Sequence, residues 1–526
     1  MSGGERGGTR EATARVARSS ARRVGRLIRD GERLVNLDRL IVFVGYRYAT
    51  ALLVLVALLA LYGVAQFSRP SRADLRQPGT RAAVTSAVLA CPAPAGTRLS
   101  ALTSGLPGRR GHLRITAPDG GERAQGPTAT VTAWSQDIDD RASSGRRGNR
   151  DTAEPYAVRA SGAVAGGLEV EQTGMVKKGA DRGLAGVRCT GPGTDMWFLG
   201  PGPVDAHDIE LHLSNVDDQP AAVDVLALSG EGPLDTTDGR GTTVEPHSGR
   251  VVGIGRSAEG LGDIVKTARV LALHVRVTTG RASAAVRVRV GDKKGVDWMP
   301  LASPPTREVV VPGLPAGGGP RQLLVGVPGG ADAQVKIQVI TPSGMFAPEG
   351  QDRIDAPAQT VTPVDLERAL SGKPAAVRLS SDRPIIAGFI ATVGADVAYG
   401  AATAPLGGGG VVADNREGTV VLLTAPTGAA TVRLVTVTGQ GPAGSPREVT
   451  VAAGRTLEVK VPAPQGGDRG FGILITPRPG SPAVYGARVL TSGKGDKRLC
   501  TVLPVMPAPT SVAQPPVAES LTSLIP

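Results

Sequence analysis

Cys91 in LACPAPAG and Cys189 in VRCTGPG bracket one stretch of sequence, and Cys500 stands far downstream. In an oxidising compartment, three cysteines give one disulfide and one leftover thiol. Cys91–Cys189 is the preferred pair because the two enclose a single region. Pairing either one with Cys500 would staple distant regions, and no disulfide at all is the reduced alternative. Closing so long a loop stabilises by about 4–5 kcal/mol in the chain-entropy account.

His112, His207, His212, His247 and His274 are too dispersed for a metal centre, and no HExxH occurs. His207 and His212 are five apart, so on a strand they face opposite sides, and surface or turn histidines are the expectation. Carboxylates cluster in QDIDD (Asp137, Asp139, Asp140) and LDTTDG (Asp235, Asp238). Such groups can do acid–base work or hold calcium, but neither follows an EF-hand loop. Nucleophile-elbow and P-loop motifs are absent, and GIGRSAEGLG lacks dinucleotide spacing. The expectation is a non-enzyme with no cofactor and no metal. Ligand or partner contact falls instead to three aromatics read as exposed, Trp197 and Phe198 in TDMWFLGPG and Trp298 in GVDWMP. Aromatic faces stack on sugars or pack into a partner; the alternative is that they plug a core or an inter-module seam.

The elements that must carry these residues divide sharply. Residues 48–67, YATALLVLVALLALYGVAQF, carry no charge and are long enough to cross a bilayer. Arginines crowd the residues before the span, so the positive-inside bias puts the N-terminus in the cytoplasm and residues 68–526 outside. Gly63-Val64-Ala65 resembles a signal cleavage site, which makes a cleaved and secreted chain the alternative. A basic amphipathic helix on the membrane surface, or a disordered basic tail, fits residues 9–36.

Beyond the span, Gly (72) and Pro (42) separate short valine-rich runs while aromatics are only 3%. This pattern is that of many short strands between turns. One unit is written three times: AAVDVLALSGEG (221–232), AQVKIQVITPSG (333–344) and ATVRLVTVTGQG (430–441). Val223, Val335 and Val432 align, as do Val225, Ile337 and Leu434, with Asp224, Lys336 and Arg433 between them. Period-two alternation of this kind describes a strand with an apolar core face and a charged outer face. Leu228, Ile340 and Val437 match at the eighth position, and Gly232, Gly344 and Gly441 end the unit. Each module has room for about six strands, and the spacing argues for immunoglobulin-like sandwiches rather than propeller blades.

The expected architecture is therefore mainly β. Residues 1–40 form a cytoplasmic basic tail, 41–67 a transmembrane signal-anchor helix and 68–85 a stalk. Residues 86–190 make a Cys-bracketed β-domain, 191–300, 301–400 and 401–502 three sandwich repeats, and 503–526 a Pro-rich tail. A formal net charge of +12 suits an anionic environment. Nucleic acid is not expected, because the basic residues lack interleaved aromatics.

The order of a basic tail, one span, LACPAPAG, GGLEVEQTG, GVRCTGPGTDMWFLGPG and LHLSNVDDQPAAVDVLALSGEGPLD resembles a domain-of-unknown-function family of actinobacterial exported or membrane-anchored proteins. The resemblance covers most of residues 86–505 and implies an envelope location with β-rich modules, but no catalytic residues. The expected role is binding or scaffolding at the cell wall, with an anionic wall polymer or an envelope protein as partner. An accessory subunit of a membrane-bound envelope-biosynthesis enzyme, such as a glycosyltransferase, is the alternative.

Overall fold

The computed structural model describes residues 31–67, 81–92, 97–104, 110–117, 122–125, 132–137, 155–234, 236–291, 294–416, 418–467 and 470–514. Asp139, Asp140 and Asp235, residues 68–80 of the stalk, most of the basic tail and the end of the Pro-rich tail lie outside them. The rest of the expected stalk, 81–85, is not a spacer but begins with a strand, Arg81–Ala83. The described part falls into two units, one within residues 1–80 and one spanning Arg81–Gln514.

In the first unit, a single helix runs from Gly31 to Phe67, beginning ten residues before the expected start at 41. Its stretch Tyr48–Gln66 has a mean hydropathy of 2.3 and buries none of its residues. Leu52, Leu53, Leu58 and Leu61 are among the largest exposed apolar side chains described. A helix whose apolar side chains are exposed all round is suited to lipid, where its backbone hydrogen bonds are satisfied internally.

The second unit is mainly β and consists of four two-sheet antiparallel sandwiches, one more than the repeat count suggests. The fourth shows the plan most plainly. Its eight strands are Gly410–Asn415, Thr419–Ala425, Ala430–Thr438, Gly441–Val451, Arg455–Lys460, Phe471–Pro477, Tyr485–Ser492 and Leu499–Val505. One sheet has the order one-six-three-four and the other five-two-seven-eight. The first sandwich, from Ser86–Cys91 to Gly183–Arg188, has the same order, and so does the second, from Asp195–Pro201 to Val296–Met299. In the third, Ala375–Val393 serves as both strand six and strand seven, its two halves pairing in different sheets around Pro384. Proline has no N–H to give a ladder, so the changeover sits where pairing lapses. Each sandwich thus has eight strand positions rather than about six.

The repeated unit is strand three of its sandwich. Val223, Val225, Val335, Ile337, Val432 and Leu434 are all buried in the cores. The first sandwich carries a shorter version at Gly111–Thr116, where Leu113 and Ile115 are buried and His112 and Arg114 exposed. At the ninth position of the three long copies stands a hydroxyl: Ser229, Thr341 or Thr438. Each oxygen accepts from the backbone N–H two residues on and donates to the glycine carbonyl three residues on. The glycines Gly232, Gly344 and Gly441 have φ of 147°, 142° and 109°, which a side chain would oppose.

The sandwiches interlock through their eighth strands, which sit at sheet edges. These strands contact one another in sequence, first to second to third to fourth and back to the first. Arg81–Ala83 pairs with Ser511–Ala513 and joins the two ends of the unit. Two of the three eighth-position residues of the repeat serve contacts between sandwiches. Leu228 and Val437 point away from their own cores into seams with the next sandwich, and Ile340 is fully buried. At Gly388 a Cβ would come within 2.8 Å of the Gly400 carbonyl on the paired strand and, across the seam to the second sandwich, within 3.3 Å of Leu199.

Candidate binding clefts between the sandwiches

A disulfide joins Cys91 to Cys189, strand one to the residue after strand eight of the first sandwich. Cys500 is a buried free thiol whose pKa burial raises. The aromatics read as exposed are all buried. Trp197 lies in the seam between the second and third sandwiches with Leu324, Val361 and Ile386, and its ring stacks 3.9 Å from that of His274. Phe198, its neighbour, points the other way into the core of the second sandwich. Alternation on one strand therefore splits the pair between seam and core. Trp298 packs on Val187 and Ala285 between the first two sandwiches and is 7% exposed.

Trp298 and Val187 form a wall with a cavity on each side. One, of about 270 Å³, opens where the first, second and fourth sandwiches meet. Leu89, Phe198, Met299, Leu301, Leu503 and Met506 make it largely apolar. Its polar end is the pair Arg188–Glu169, with Nε 2.5 Å from Oε1. Burial raises the Glu169 carboxyl to about 8, against the pull of Arg188 and with help from Glu171. Arg188 also donates from Nη2 to the Pro504 carbonyl at 3.2 Å, while Nη1 has no hydrogen-bond partner. An apolar group with a polar or anionic end suits this space.

The second cavity, of about 300 Å³, lies between the first and second sandwiches. Gln172 comes from strand seven of the first sandwich and His212 from strand two of the second, and both are more than nine-tenths buried. Gln172 donates to Thr97 at 3.3 Å, yet its Oε1 has no partner. Neither ring nitrogen of His212 makes a hydrogen bond, although Nε2 is 3.6 Å from Glu210 and the ring lies 5.0 Å from that of Trp298. The adjacent His212 and then Arg287 hold the Glu210 carboxyl below its ordinary range against the effect of burial. Arg287 is itself occupied, 3.3 Å from Glu210 and 3.8 Å from Asp181.

His212 is thus not the surface histidine its dispersal suggests; the outer face of its strand is covered by the first sandwich. His207 precedes that strand, exposed, with its ring against Asp208. Asp137 and Asp238 are exposed on separate sandwiches. Among the described residues, no group of three or more His, Cys, Asp or Glu is gathered to hold a metal ion.

The profile of a family of unknown function (DUF5719) matches residues 143–462, and the chain belongs to that family. The match is narrower than the resemblance over 86–505. It begins within the first sandwich and ends in the fourth. No curated protein matches the chain.

Proposed function

We propose that this member of the DUF5719 family is a non-enzymatic, membrane-anchored protein of the cell envelope that binds a wall polymer. The observation that carries this reading is the pair of ligand-sized cavities on either side of Trp298, framed by several sandwiches locked together. Sites of this size and mixed lining, set between rigid modules, are typical of ligand binding. The helix Tyr48–Gln66 would hold the sandwiches at the membrane, with the arginine-rich N-terminus inside. The disulfide Cys91–Cys189 favours an oxidising compartment outside. The charge of +12 would gather an anionic polymer at the surface, and anchoring would raise its effective concentration around the clefts.

The test is co-sedimentation of the full-length protein, in detergent micelles, with isolated cell walls across a salt series. Binding that persists at high salt and weakens in Trp298→Ala is expected. Binding that vanishes with salt would mean that only the diffuse charge is engaged. No binding at low salt would overturn the wall reading.

A second reading, an accessory subunit of a membrane-bound envelope-biosynthesis enzyme, is favoured by the apolar cavity, which suits an apolar group of a partner protein. It predicts lost function when the helix is replaced by an unrelated apolar span. The wall-binding reading predicts retained function.

A further inference from the structure

We infer that the polar cleft between the first and second sandwiches is a sugar site, taking one uncharged polyhydroxylated ring of the polymer. The inference rests on the wall-binding reading and names what the cleft would recognise.

The argument begins with the atoms left over. Gln172 Oε1 is an acceptor without a donor, and neither nitrogen of the His212 ring makes a hydrogen bond, Nε2 standing 3.6 Å from Glu210. Leaving such groups buried and unpaired costs about 1–3 kcal/mol each. A hydroxyl can donate and accept at once, so adjacent hydroxyls on one ring satisfy all three positions. Trp298 and Val187 give the cleft an apolar side, which suits the C–H face of a sugar.

The charges argue against an anion. The cleft's guanidinium, Arg287, already lies between Glu210 and Asp181, so a phosphate or carboxylate would meet two acids and no unpaired cation. A cation would have Asp181 but nothing to use the deeper Gln172 and His212 atoms together. Water alone is the remaining occupant. A space of about 300 Å³ would hold roughly ten water molecules at liquid density.

The experiment uses full-length protein in detergent micelles, with glucose, galactose, mannose, arabinose and N-acetylglucosamine as probes and glycerol 3-phosphate as the anionic comparator. Saturation-transfer NMR reads binding, and thermal melting confirms that the variants fold. His212→Phe keeps the ring against Trp298 but removes its nitrogens, and Gln172→Met keeps the length but removes the acceptor. At least one sugar should bind, at least tenfold more weakly in whichever variant melts like the parent, and glycerol 3-phosphate should not displace it. Failure of every sugar to bind would assign the cleft to water and overturn the inference. So would unchanged binding in the folded variants, or displacement by the phosphate. Wall co-sedimentation of the same variants separates the two proposals. Walls that bind parent and variants equally leave the wall reading standing and remove the sugar site. Sugar binding without wall binding does the reverse.

Discussion

Asp297 and Asp396, from the eighth strands of the second and third sandwiches, each bridge the first sandwich to the fourth. Asp297 Oδ1 accepts from the Gly186 N–H at 2.9 Å and from the Thr501 hydroxyl at 3.0 Å. Asp396 Oδ2 accepts from the Leu184 N–H at 3.0 Å and from the Cys500 N–H at 2.9 Å. Edge strands present N–H groups that no ladder satisfies. Where four such edges converge, these two side chains supply acceptors that a sheet cannot.

Both carboxyls are fully buried, and burial raises Asp396 to about 7 and Asp297 well above its ordinary range. In the unfolded chain each titrates near pH ~4. Between those values the folded state holds more protons, so the contribution of these two groups is fully present below about pH 4 and is lost as the pH rises to 7 and beyond. The loss should amount to a few kcal/mol for the pair. Asp297→Asn keeps Oδ1 for both donors and places an amide where Oδ2 has no partner. It should be more stable than the parent at pH 8, with the difference shrinking steadily toward pH 4, as read by urea midpoints. A variant curve parallel to that of the parent would rule this out.

A second prediction concerns the contact between the first and fourth sandwiches. Glu171 accepts from the Ala413 and Asp414 N–H groups and lies 3.4 Å from the fully buried Arg488. Asp414 accepts from Thr173 and pairs with Arg416 at 2.9 Å. Burial alone would raise its carboxyl, but Arg416 and Arg488 outweigh that and hold it low. Glu171→Ala should cost about 3–5 kcal/mol, because it strands a buried cation and two N–H groups. Adding Arg488→Met should cost less than the sum of the single changes. Additive denaturation energies would show that the two do not act as a pair.

The hydroxyl turns make a third test. Thr341→Ala or Thr438→Ala removes one acceptor and one donor and should cost about 1 kcal/mol. Gly344→Ala should cost as much or more despite open space beside it, since φ of 142° opposes any Cβ. If Gly344→Ala were neutral in chemical denaturation, strain would not be why the unit ends in glycine.

The repeat was legible because Val223, Val335 and Val432 alternate with charges against a core that belongs to the same module. The first sandwich escaped because its third strand, GHLRIT, has six residues against nine in the others and ends without the Ser/Thr-x-x-Gly turn. Residues that face another module were the hard part. Leu228 and Val437 break the alternation, and that break marks their packing outside their own cores. Glu169, Glu171 and Gln172 in GGLEVEQTG read as polar residues on a strand, yet the neighbouring sandwiches bury them. Trp197 beside a Gly/Pro turn reads as exposed, but its cover comes from Leu324, Val361 and Ile386, more than a hundred residues away. Local periodicity reports a residue's own sheet and nothing of what docks on its far side.

The last prediction turns on the cysteines. In the folded, oxidised protein, Cys91 and Cys189 are joined and Cys500 is fully buried, so an alkylating reagent should find no thiol. Unfolding without reductant should expose one thiol, and mass spectrometry should place the label on Cys500. Burial raises the Cys500 pKa, so raising the pH within the folded range should speed labelling little. With reductant, all three cysteines should label after unfolding, and the unfolding midpoint should fall. The bridge closes a loop with a sequence separation of 98, worth about 4–5 kcal/mol if chain entropy dominates. A reduced protein as stable as the oxidised one would place the stabilisation of the first sandwich in its contacts with the fourth rather than in the bridge.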